Sequence, residues 1–117
     1  MCDQLAETMD HIILGCVFSR EVWAACLGRF RLQQVSVVQD QDVMSWWIDS
    51  RKRLPKQIRR GFDSLFFLVG WSLWKERNAR TFDRSSRQPA ALLQAILEEA
   101  SLWVAAGYKP LGEVLAL

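Results

Sequence analysis

Histidine, cysteine and glycine are scarce in this chain: one, three and six among 117 residues. The single histidine, His11, has no serine or nucleophilic cysteine arranged with it, so triad-type nucleophilic catalysis has no parts to work with. No glycine-rich loop stands ready to cradle phosphates. No paired carboxylates stand where an acid and a base would face a substrate. The chain is therefore expected to be no enzyme. Long apolar runs are missing too. A membrane-spanning helix needs about 18–20 apolar residues; the longest such stretch, 65–74, is about half that and contains Gly70 and Ser72. Residues 1–11 carry Asp3, Glu7 and Asp10, where a secretory leader would be basic and then apolar. Three cysteines without a leader argue against a disulfide framework and for a reducing compartment. The expected location is intracellular, nuclear or cytoplasmic, with no secretion and no membrane.

Half of the residues are apolar. That is enough for one core, and the length allows one domain at most, 1–117. The formal net charge of +2 conceals a strong asymmetry. Residues 1–50 and 88–117 are both net acidic, whereas residues 51–87 hold eleven Lys or Arg against Asp63, Glu76 and Asp83. Six of the ten residues 51–60 are basic: Arg51, Lys52, Arg53, Lys56, Arg59 and Arg60. Lys75, Arg77 and Arg80 follow. A basic central third is the pattern of a surface for nucleic acid or an acidic partner. The plainer alternative is a solvated helix face.

The apolar spacing is helical throughout and predicts an all-α fold, a small bundle of about five helices. A short helix over 7–15 would carry His11 and stop at Gly15. Ser19 reads as the N-cap of a second helix bearing Val22, Trp23 and Cys26, with Gly28 near its end. Val35–Val38 allows a brief extended piece. Asp40 or Asp42 should cap a third helix with Val43, Trp46, Trp47 and Leu54 inward and Arg51-Lys52-Arg53 in its last turn, where the helix dipole favours cations. Pro55 should begin the longest helix. One stripe there is Ile58, Phe62, Leu65, Phe66, Val69 and Leu73; a second is Phe67, Trp71 and Trp74. Two apolar stripes predict a central helix with Phe66, Trp71 and Trp74 buried. Residues 83–88 read as a loop. Pro89 should start a fifth helix with Leu92, Leu93, Ile96, Leu97, Ala100 and Trp103 inward, ended by Gly107, and a last turn should run from Pro110 to Leu115.

One constellation has a named chemistry. Cys2, His11 and Cys16 have the residue types and order of zinc ligands. A four-ligand site would need a further cysteine three positions before Cys2, where only Met1 precedes it. The chain thus appears in the middle of the motif, and weak zinc occupancy is expected from three ligands alone. Cys26 is a conceivable fourth arm, although it shares an apolar stripe with Val22 and Trp23.

The residues around those ligands carry a resemblance. Glu7-Thr8, Asp10-His11-Ile12-Ile13, Cys16, Phe18-Ser19 and Val22-Trp23 follow in order, and Trp74-Lys75-Glu76-Arg77-Asn78, Arg80 and Phe82 come later. Together they resemble the zinc-binding domain that follows the polymerase in plant non-LTR (LINE-type) retrotransposon reverse transcriptases. The first cysteine of that pattern is absent. The two motifs bracket residues 2–82. The resemblance implies a partial zinc-binding motif region at 1–31, a helical region at 42–117, and a non-catalytic tail that holds RNA or DNA near a polymerase. The polymerase and endonuclease parts of such polyproteins are not in this sequence, so those activities do not follow. Phosphate contacts would fall to Arg51, Lys52, Arg53, Lys56, Arg59, Arg60, Lys75, Arg77 and Arg80. Base stacking would fall to Trp74 or Phe82, if exposed. The competing expectation is a helical protein-interaction module, or a remnant that binds neither metal nor nucleic acid.

Overall fold

The structure is a computed structural model that describes residues 10–29, 32, 35, 42–79 and 87–107. Among these residues every regular element is helical and none is a strand, so the fold is a small all-α bundle. A π-helical turn, His11–Gly15, leads into α1 (Val17–Arg29). Then follow α2 (Val43–Arg53), α3 (Lys56–Asn78) and α4 (Pro89–Ala105). The expected piece at 35–38, apart from Val35, and the expected last turn at 110–115 lie outside the described residues.

Local chemistry sets the helix ends. Asp42 caps α2: its Oδ1 accepts from the Ser45 backbone N–H at 2.9 Å, and its Oδ2 from the Ser45 hydroxyl at 2.9 Å. Asp10, just before the π-turn, accepts a second orphan donor, the Val43 N–H, at 3.0 Å. Pro55 and Pro89 stand at the starts of α3 and α4, as their fixed φ favours. After α4 the chain turns at Gly107, whose φ of +104° would strain any residue with a Cβ.

Ser19 differs from expectation. It lies inside α1, is fully buried, and donates its hydroxyl to the Ile12 carbonyl. Trp23 Nε1 donates to the Ile13 carbonyl at 2.7 Å. The two side chains of α1 thus satisfy carbonyls of the π-turn. That turn needs the help, because Ile12, Ile13 and Leu14 are all buried and three consecutive inward residues are too wide a face for an ordinary surface helix.

The π-turn packs against α1 and α3, α4 against α1 and α3, and α2 against α3. One continuous hydrophobic core joins them. Its centre is aromatic. The Trp23 and Trp46 rings meet edge-to-face at 4.8 Å, and Phe62 and Phe66 of α3 lie 6.1 Å from Trp46. Such pairs add to the burial of the rings themselves. No helix among the described residues is long and apolar enough to cross a membrane.

Candidate functional site

The basic residues divide by what the fold does with them. Arg51 Nε donates to Asp63 Oδ1 at 2.6 Å, and its guanidinium lies 5.1 Å from the Trp47 ring centroid. Trp47 Nε1 donates to the same carboxylate oxygen at 3.0 Å. The hydrogen bond to Asp63 holds the Arg51 guanidinium charged still more firmly than usual. Arg59 Nε donates to the carbonyls of Arg51 at 2.8 Å and Leu54 at 3.1 Å. It thereby satisfies acceptors left over at the end of α2. These two arginines tie the end of α2 to the start of α3.

Around that tied corner Lys52, Arg53, Lys56 and Arg60 are exposed. Four exposed cations thus flank the junction of α2 and α3, and no acidic residue lies between positions 51 and 60. Such a surface attracts phosphates by charge alone, with strength that falls as salt rises.

The far end of α3 is different. Lys75 lies 19 positions after Lys56, about 28 Å along the helix. It is exposed, with its Nζ 5.9 Å from the Trp71 centroid. Arg77 is half-buried and its Nη1 lies 3.2 Å from Asn78 Oδ1. Arg80 and Phe82 lie outside the described residues. The second stripe of α3 is not buried as expected: Phe67 is 66 % exposed, Trp71 49 % and Trp74 37 %. The two indoles stack on each other at 5.4 Å and 20°. The reason is architectural, because α1, α2, α4 and the π-turn leave this face of α3 open. A groove of about 260 Å³ lies there, apolar throughout, lined by Ile13, Phe66, Phe67, Gly70, Trp71 and Trp74.

Sequence reasoning also missed Arg87. Its backbone N–H and Nε donate to the Glu76 carboxylate at 3.0 and 2.9 Å. Glu76 is 1 % exposed at the side chain and Arg87 45 %. The pair fastens the approach to α4 onto α3.

The proposed metal ligands are only partly described. Cys2 lies outside the described residues, as does the side chain of His11; its backbone opens the π-turn. Cys16 is buried between that turn and α1, and its carbonyl accepts the Arg20 N–H at 2.9 Å. Cys26 is fully buried, and burial pushes its thiol pKa up to about 12. Cys26 packs in the same core as Val22 and Trp23, the place of a small apolar residue. Among the described residues no three His, Cys, Asp or Glu side chains gather as a metal site.

No protein-family model, no curated protein and no solved structure matches this chain.

Proposed function

We propose that the chain is a non-catalytic helical module that holds nucleic acid by its phosphates, related to the tail domain of plant LINE-type reverse transcriptases. The observation that supports this is the α2–α3 corner at which Lys52, Arg53, Lys56 and Arg60 are all exposed. Arg51 and Arg59 spend their hydrogen bonds on fixing that corner. The exposed four act as point charges or forks for phosphate oxygens. Binding of this kind is salt-sensitive and nearly blind to sequence. Zinc enters this reading only through Cys2, His11 and Cys16, and the phosphate contacts do not depend on it.

The test is a fluorescence-anisotropy titration of a labelled RNA at about 50 mM and about 200 mM salt. Four phosphate contacts predict a loss of affinity of roughly 50- to 150-fold between the two. Absence of binding at the lower salt would overturn the reading. A second reading then has its own support. The wholly apolar groove beside Trp71 and Trp74 suits a protein partner that buries apolar side chains there.

A further inference from the structure

A second cleft, of about 320 Å³, opens between α3 and α4. That volume is at the small end of the ~300–1,000 Å³ typical of ligand sites. Unlike the apolar groove, its lining is mixed. Phe67, Trp71 and Trp103 supply aromatic surface, and Lys75 and Arg87 supply positive charge. Four of these groups have fixed neighbours. Trp71 stacks on Trp74, and the Lys75 ammonium stays near the Trp71 ring. Glu76 holds Arg87 by the guanidinium Nε while the side chain remains partly exposed. Trp103 Nε1 donates to Glu99 Oε1 at 3.1 Å, and Glu99 is the one carboxylate among the described residues that line the cleft.

Flat aromatic walls beside the Lys75 ammonium are complementary to a nucleotide, which has a flat base and an anionic phosphate. A duplex cannot use such a cleft, because its bases are stacked and paired. A single strand can, since any base offers a π-face to an aromatic ring. We infer that the α3–α4 cleft takes one unstacked nucleotide of a single strand, with its base against the aromatic walls and its phosphate beside Lys75. This rests on the reading that the protein binds nucleic acid. It adds that the protein prefers single strands to duplexes, and it assigns that preference to a site apart from the basic corner.

The experiment compares a short labelled single strand with its own duplex, by anisotropy, for three proteins. The parent should bind the single strand about tenfold more tightly, the weight of one base–aromatic stack. Trp71→Ala with Lys75→Gln should remove that preference, with duplex affinity falling by no more than the loss of one cation explains. Trp71→Phe should keep most of it, because a ring remains. Both altered side chains are exposed, and near-UV dichroism checks that the packing of the buried indoles is retained. A folded double variant with the parent's preference would overturn the inference, as would a parent with none; in either case binding through the basic corner would still stand. A parent that binds neither form at low salt would overturn both, and would leave the exposed indoles to a protein partner.

Discussion

Two sets of aromatic side chains share α3 and meet opposite fates. Phe62 is buried against Trp46 of α2, and the half-buried Phe66 packs on Trp23 and Trp46 at the edge of the core. Phe67, Trp71 and Trp74 are as apolar, recur at helical spacing, and are left exposed. The chemistry of the rings does not separate the two sets. The neighbours do: α2 packs over the face that carries Phe62, whereas α4 and Ile13 of the π-turn only flank Phe67, Trp71 and Trp74 and leave them exposed. The exposed part of such a stripe contributes little to the stability of the free chain and is open to contact.

The largest effect should come from the buried set. Trp46→Ala removes the ring that joins α1 and α3 and should cost about 3–5 kcal/mol. That is a large part of the ~5–15 kcal/mol that holds a domain together. A denaturant melt measures it. Trp46→Ala and Trp71→Ala variants that melted alike would erase the contrast between the two faces.

Next comes the tie between α3 and α4. Arg87→Ala removes the guanidinium that holds one oxygen of the buried Glu76 carboxylate, and should cost about 1–3 kcal/mol. The same melt should also show α4 loosening, as earlier loss of the Trp103 fluorescence environment. A variant as stable as the parent would mean that the pair does not fasten the helices.

A smaller effect belongs to the cap of α2. The backbone N–H of Ser45, and then its hydroxyl, hold the Asp42 carboxyl below the usual carboxylate range. Its contribution to stability is therefore complete above the unfolded-state pKa and is lost as the pH falls through the lowered folded value. Asp42→Asn keeps an acceptor for the cap without the titration, so its acid sensitivity should be less steep than the parent's. Identical acid melts for the two proteins would contradict this role.

Cys26 should be quiet. With its pKa near 12, the thiol stays protonated at neutral pH and should react with a thiol reagent only when the chain is unfolded. Rapid labelling of Cys26 in the native protein, located by peptide mapping, would count against its burial. Least affected of all should be the stability of Trp71→Ala, at under about 1 kcal/mol, since half of the ring is already in water.

Much of the fold was legible because its signals are local. Asp42, Pro55, Pro89 and Gly107 each act through their own backbone or the next few residues, and each marks the helix end that the sequence predicted. What was hidden depends on distant partners. Ser19 has the chemistry of an N-cap, yet it bonds to a carbonyl seven residues back because the π-turn folds beside it. Arg87 meets Glu76 across eleven positions. Trp71 and Trp74 have a core pattern, and only the placement of the other helices shows that nothing described covers them. In the candidate interface, charge density pointed to residues 51–60 at once. It could not divide Arg51 and Arg59, used within the corner, from the four cations that surround it.

The central claim is that those four cations hold phosphates. The most direct measurement is the dependence of single-stranded RNA affinity on salt, for the parent and for a variant with Lys52, Arg53, Lys56 and Arg60 all changed to Gln. Each phosphate contact on a single strand contributes about 0.7 to the slope of log affinity against log salt. The account predicts a variant that stays folded, binds weakly, and has a slope shallower by about 3. A folded variant with the parent's affinity and slope would contradict it.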